Sequence, residues 1–266
     1  RVRAAQLARC LLHGVEQVAA IAVIDEMGDD LGVGLAVETV AACLQFGAQR
    51  LGLTIQIDDP DGSGLSEWIS TLIAGSGGKL VTGTTRSARV GLDTDAGRAA
   101  AGVVEFYSQS KVGPGPSRDA LETFAGPTGG FLLGPSSVVS DPALAAIAAD
   151  LGWAPYPMIG TTSVAPLAGV GLAVPLYAPH SNLSYKAITC LTQPQVMLAL
   201  MSSAGHSASR LTTYDDPSLG TTYPMAAVAK AAVASGQAVP RTPYWNLVRA
   251  AIDESWKPLS AVSVDG

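Results

Sequence analysis

Trp153-Ala154-Pro155-Tyr156-Pro157 opens a stretch that runs to Pro217 and holds the sharpest local signals in the chain. It continues through Ala168-Gly169-Val170-Gly171-Leu172-Ala173-Val174, an apolar run to Cys190 and Thr192-Gln193-Pro194-Gln195. Gly205-His206-Ser207-Ala208-Ser209-Arg210 comes next, and Tyr214-Asp215-Asp216-Pro217 closes it. The spacing predicts a strand at Trp153, a Gly-rich turn, a buried strand over 167–174 and two helices in succession. Gly169 and Gly171, set in an apolar run, mark a place where another backbone or a ligand approaches closely. From Asn182, the residues Tyr185, Ile188 and Leu191 recur at helical spacing. Thr192 is placed to cap the second helix, with Pro194 in its first turn, where a missing N–H costs nothing. Gly205 stops that helix, and the polar loop beyond it carries one arginine, Arg210.

The flanking sequence has the same grain. Arg1 to His13 reads as a helix ended by Gly14, and Val15 to Ile24 as either strand or helix. Glu38 to Leu51 is amphipathic, with Val40, Leu44 and Ala48 on one face. Leu53 to Ile57 alternates apolar and polar residues, the mark of a half-buried strand. Its C-terminal end runs into Asp58-Asp59-Pro60-Asp61-Gly62-Ser63-Gly64, then a helix from Leu65 to Ala74. In open α/β sheets ligands lie outside such strand ends, and the amides of a following helix suit an oxygen-rich ligand. Gly75 to Gly78 stops this helix before a strand at Lys79-Leu80-Val81. Asp93-Thr94 caps a helix to Ser110, with Ala100, Val103, Val104 and Tyr107 turned inward. Residues 112–116 form a Pro/Gly linker. Asp141-Pro142 starts an Ala-rich helix over Ala143 to Leu151, and Tyr223 to Ala234 is helical. A final helix over Pro243 to Trp256 carries Trp245, Val248, Ile252 and Trp256 on one core stripe.

Composition excludes several function classes. With 266 residues the chain can form one domain or two small lobes. Its 29 glycines and 17 prolines fit an α/β protein with many tight connections. A net charge of −6 without a basic cluster argues against nucleic acid. No apolar run reaches the ~18 residues of a membrane span. The three cysteines, Cys10, Cys43 and Cys190, form no C-x-x-C pair, and none lies at ligand spacing from a histidine, which argues against zinc. Leu7-Ala8-Arg9-Cys10 is a poor lipoprotein cleavage box, so the chain reads as mature sequence without its export signal or lipid anchor. Gly62-Ser63-Gly64 is too short for a nucleophile elbow. Gly32-Val33-Gly34 and Gly169-Val170-Gly171 lack the third glycine of a dinucleotide loop, and Asp58, Asp59 and Asp61 lack the register of a calcium loop. No catalytic set, cofactor or metal site is expected, and the chain reads as a non-enzyme.

The order of these segments resembles the extracytoplasmic solute-binding proteins of carbohydrate ABC importers, most closely the trehalose-binding lipoproteins of actinobacteria. The residues that carry the resemblance are Ala154 to Pro157, Gly169 to Val174, Ala187-Ile188-Thr189-Cys190-Leu191-Thr192-Gln193-Pro194, Arg210, Tyr214 to Pro217, Tyr223-Pro224 and Arg241-Thr242-Pro243-Tyr244. It covers roughly the last 200 residues. Between Met27 and Val37, where the family carries much of its first lobe, this chain has only Gly28-Asp29-Asp30-Leu31-Gly32-Val33-Gly34-Leu35. It therefore looks like a member shortened in one lobe.

The resemblance implies a two-lobed periplasmic-binding-protein-like α/β fold of the class II type. A larger lobe would hold 37–166 and 211–266, and a smaller, reduced lobe 1–36 and 167–210. It also implies the ligand-facing residues. Arg210 matches an arginine that contacts sugar, and its forked donors suit neighbouring hydroxyls; the bland alternative is a salt bridge. Gly169 matches a glycine bordering the ligand, or else marks tight strand packing. Trp68 and Trp153 match aromatic positions that are either sugar contacts or core anchors. Ser63 stands where the family has an acidic residue, and Asp59 and Tyr156 complete the set. Gly134-Pro135-Ser136 replaces a ligand-facing tryptophan after the apolar segment from Phe124. Cys10 and Cys190 are implied either as a disulfide, worth on the order of 4 kcal/mol in the chain-entropy model, or as two buried thiols. The implied role is capture of a neutral disaccharide such as trehalose outside the cell by a monomer that serves a membrane permease. The alternative is a truncated or engineered scaffold that folds and binds no sugar.

Overall fold

The central sheet has four strands: β1 (Ile21–Ile24), β2 (Gly52–Ile55), β5 (Gly129–Leu133) and β6 (Leu151–Ala154), in the order β2-β5-β1-β6. β2 and β5 are parallel, and β1 runs antiparallel to both β5 and β6. Two short antiparallel pairs, β3 (Val81–Thr82) with β4 (Arg89–Val90) and β7 (Met158–Ile159) with β8 (Thr162–Ser163), form sheets of their own. This computed structural model describes residues 21–24, 52–57, 63–83, 86–110, 120–126, 129–159, 162–169 and 171–264. The expected helices over Arg1–His13 and Glu38–Leu51, the 112–116 linker, Asp59, Cys10 and Cys43 lie outside those residues. The α/β expectation holds, and Val15 to Ile24 resolves in favour of strand at its end.

Alternation along the strands divides two cores. Leu53, Ile55, Ile57, Phe131 and Leu133 face the main core, and Leu132 faces a smaller one with Ala120, Phe124, Val138 and Leu144. Phe124 sits on a short helix, α3 (Ala120–Ala125), just ahead of β5.

The main core is built on α1 (Ser63–Gly75). Leu65, Ile69 and Ile73 are fully buried, and Ser66, Ser70 and Thr71 are buried as well, so the helix is enclosed on nearly every side. It packs against α2 (Asp95–Ser110) and α9 (Trp245–Ser255). Its end is chemically specified. Gly77 adopts φ +80°, the Gly77 N–H donates to the Ala74 carbonyl at 2.9 Å, and the Gly78 N–H donates to the Ile73 carbonyl at 2.9 Å. Those two bonds are the paired closure of a left-handed helix stop. α2 begins as expected: Thr94 Oγ1 accepts from the Gly97 N–H at 3.1 Å. Ala100, Val104 and Tyr107 are buried, and so are Ile252 and Trp256 on the C-terminal stripe.

Four expectations are corrected. The buried strand over 167–174 reduces to β9 (Pro166–Leu167), which pairs in parallel with β10 (Gln237–Ala238), and Ala168, Gly169 and residues 171–173 are exposed. A strand needs a ladder partner, and β10 offers only two residues. The Ala-rich helix stops early. Asp141 caps α4 (Pro142–Ala145) by accepting from the Ala143 N–H at 2.9 Å, but Leu151 already pairs with Ile24 in β6. Sheet pairing overrides helix propensity there. Thr192 does not cap α6 (Pro194–Ala204). Its hydroxyl donates back to the Ile188 carbonyl at 2.9 Å in α5 (Ser181–Leu191), and Gln193 takes the cap position. The helix expected from Tyr223 begins only at Ala226, as α8 (Ala226–Ser235), after Pro224, and a separate short helix, α7 (Leu219–Thr222), precedes it.

α5 forms as the spacing predicts, yet none of its residues is buried: Tyr185 is 59% and Leu191 55% exposed. α6 differs. Its Met201 is fully buried in the main core, and it ends at Gly205 with φ +66°. Ile69→Ala is expected to cost about 2–5 kcal/mol, whereas Leu247→Ala, on an exposed side chain of α9, stays within about 0.5 kcal/mol. Urea denaturation of the two variants checks both values.

Candidate functional site

The sheet register places four strand ends side by side. Ile55 pairs with Leu133, Leu133 with Ile21, and Ile21 with Ala154. The C-terminal ends of β2, β5 and β6 therefore finish in one row, the position where open α/β sheets expose a ligand crevice. The Gln56 N–H donates to the Leu133 carbonyl at 2.8 Å, adding one rung beyond β2. Gly134 lies beside it, and a Cβ there would stand 3.0 Å from Gln56 Oε1, so a side chain would press on that amide. α1 starts with half-buried Ser63, whose carbonyl accepts from the Ser66 hydroxyl at 3.0 Å.

Beyond β6 the chain brings Tyr156 onto α1. Its ring is 4% exposed, and its hydroxyl bonds to Thr71 near the Glu67 carboxylate. Burial, the largest cause, holds the Tyr156 hydroxyl far above the usual phenol range; the Thr71 bond opposes the shift and the Glu67 charge adds to it. A shallow depression opens next to this contact. Glu67, Ser70 and Thr71 of α1, Pro166 and Leu167 of β9, residues 237–239 at β10, and Trp245 at the start of α9 line it. Glu67, Ser70 and Thr71 share one face because they stand three and four residues apart. A carboxylate, the Ser70 hydroxyl, the Gln237 amide and an indole border an apolar floor, while the Thr71 hydroxyl is already committed to the Trp68 carbonyl at 2.7 Å, and the space between them is about that of one water molecule. Among the described residues no group of His, Cys, Asp or Glu converges to hold a metal ion.

The residues singled out from the sequence scatter across this region. Ser63 opens α1, and Tyr156 is buried against Thr71, a lining residue of the depression. Gly169 follows Leu167 by two residues and is exposed, with no atom within 4 Å of an added Cβ. Trp68 is a core residue, 5% exposed, whose ring meets Tyr107 edge-on at 5.8 Å. Trp153 is half-buried on β6 and packs against the main core. Arg210 is exposed just before a 3-10 turn at Leu211–Asp215 and forms no ion pair among the described residues. Cys190 is an exposed free thiol on α5. Glu67, Gln237 and Trp245 are not legible in the sequence as site residues. Trp245 reads as core, and nothing local links a glutamate on one helix to a glutamine 170 positions later.

No protein-family model matches the chain, and no curated protein sequence matches it. Solved structures do. Maltose-bound MalE3 of T. maritima superposes with a TM-score of 0.70 at 20% identity, over 92% of this chain and 67% of that one. The GacH receptor of Streptomyces glaucescens, solved unliganded and with acarbose, gives 0.68 at 20% identity, over 95% and 68%. The cyclic alpha-maltosyl-1,6-maltose binding protein of Arthrobacter globiformis gives 0.62 at 16% identity, over 86% and 61%. This chain has the periplasmic-binding-protein fold. The chain spans about two thirds of the length of these structures.

Tyr107 gives a pH test of the packing under the site. Burial pushes its hydroxyl from 10.0 up to about 12, and the hydroxyl donates to the Leu53 carbonyl at 3.3 Å. The unfolded chain loses this proton first as pH rises, so the associated stability is complete below pH 10 and is lost as pH climbs toward about 12. Denaturant midpoints measured across that window are expected to fall less steeply in Tyr107→Phe than in the unsubstituted protein.

Proposed function

We propose that the chain is the extracytoplasmic binding component of a carbohydrate ABC importer and takes a neutral disaccharide such as trehalose. The observation that carries this reading is the level row of strand ends beside a depression of mixed polar and apolar lining, in a fold shared with solved structures holding maltose and acarbose. The ligand would lie between α1, β9 and Trp245. Glu67, Ser70 and Gln237 would take its hydroxyls, Gly169 would border it, and Arg210 would reach it from the loop after α6. Ser63, Trp153 and Tyr156 would frame the crevice from α1 and the strand ends. Capture proceeds by closure of the smaller part, 1–36 with 167–210, over the larger, 37–166 with 211–266. A ligand drives that closure only through tighter binding to the closed form. The protein then delivers its cargo, as a monomer and without chemistry of its own, to a membrane permease.

A second reading is a folded scaffold that binds no sugar. The exposure of the 171–191 segment favours it: Leu176 is 86% and Tyr177 91% exposed, and α5 buries nothing. Titration calorimetry separates the two. Trehalose is expected to give saturable heat and maltose a weaker response, while absence of heat with either sugar at millimolar concentration leaves the scaffold reading standing. Arg210→Ala is expected to weaken trehalose binding about tenfold or more, the worth of a hydrogen bond from a charged donor. Unchanged affinity would remove Arg210 from the site.

A further inference from the structure

The loop from Gly205 to Arg210 leaves α6 and is held at three points. Gly205 adopts φ +66°, and a Cβ on it would stand 2.6 Å from Val139 Cγ1 and 3.0 Å from Ser137 Cα, so its backbone lies directly on the Ser136–Ser140 turn. Ser207 Oγ donates to Ser136 Oγ at 3.1 Å. The same Ser207 oxygen lies 3.1 Å from the Tyr223 hydroxyl. A serine hydroxyl has one proton, and Ser207 directs it at Ser136, so the Tyr223 hydroxyl must be the donor in the second bond. The third hold is Tyr214, whose hydroxyl donates to the Ala208 carbonyl at 2.8 Å. Tyr223 is fully buried and Tyr214 is 7% exposed, so both rings are fixed in the main core.

Ser136 lies three residues beyond Leu133, which stands in the row of strand ends. The bond from Ser207 to Ser136 therefore ties the loop to the edge that carries Gly134. His206, Ser209 and Arg210 are left exposed on the anchored segment. We propose that Tyr223, Ser207 and Ser136 form a hydroxyl chain that, with Tyr214, moors the 205–210 loop to the strand-end edge and so positions Arg210 toward the ligand. Tyr223 and Ser207 are positioning residues: they act through the loop and touch no ligand. The role assigned to Arg210 rests on the sugar-binding reading; the mooring itself rests on the hydroxyl geometry alone.

Tyr223→Phe keeps the ring and removes the first donor, and Ser207→Ala breaks the chain at an exposed position. Amide hydrogen exchange on the unliganded full chain is expected to run about fivefold faster over 205–211 in either variant, the effect of one lost hydrogen bond. Exchange in α1 and β5 should not change, and Ser207→Thr should restore slow exchange. Unchanged exchange over 205–211, or an equal rise throughout the protein, overturns the proposal. Trehalose titration supplies the second arm. Tyr223→Phe should weaken binding about fivefold in the unsubstituted chain and not at all in Arg210→Ala, whereas equal losses in both backgrounds overturn the positioning role. If the unsubstituted chain binds no sugar, the sugar-site reading falls and the exchange result alone judges the mooring.

Discussion

Ladder register in the β2-β5-β1-β6 sheet fixes both the faces of the core and the edge where the candidate site lies. Phe131 and Leu133 belong to the main core while Leu132 belongs to the smaller one, so β5 is buried on both faces. A slip of one residue would exchange those faces and drive Leu132 against α1. The pairing that avoids this cost also aligns Ile55, Leu133, Ile21 and Ala154. Level strand ends are thus a by-product of core burial.

α1 transmits that register to the candidate site. Leu65, Ile69 and Ile73 fill the main core while Glu67, Ser70 and Thr71 line the depression, all on one helix of thirteen residues. Polar groups on an enclosed helix are held more tightly than groups on a loop, which favours recognition by fixed geometry. Gly78 shows how close the neighbours come: a Cβ there would lie 2.4 Å from Ala96 Cβ on α2. The loop bearing Arg210 reaches comparable order by a different route, through buried tyrosine hydroxyls. The 171–191 segment has neither device. Its helix has local hydrogen bonds and an apolar stripe, but a helix that buries nothing draws little of its stability from tertiary packing.

Local chemistry is readable from residue order. Thr94 capping α2, Asp141 capping α4, Pro194 opening α6 and Gly205 closing it all depend on backbone within a few positions, and each is found where the spacing places it. The core stripe on α9 is equally legible, since helical periodicity selects one face. Errors fall where distant partners decide. An apolar run with two glycines at 167–174 looks like a buried strand, and an Ala-rich run before Trp153 looks like a long helix. The first lacks a ladder beyond β10, and the second is cut short by pairing with β1.

Residue order alone thus established an α/β protein, several of its helix ends and the caps at Thr94 and Asp141, because those follow from torsional preference and short-range hydrogen bonding. Folding in three dimensions settled that Trp68 is core while Glu67, one position earlier, lines a depression. It also settled that Gln237 and Trp245 meet α1, and that Tyr223 holds the loop carrying Arg210. Burial and contact are sums over partners far apart in the chain, and no window of sequence contains those partners together.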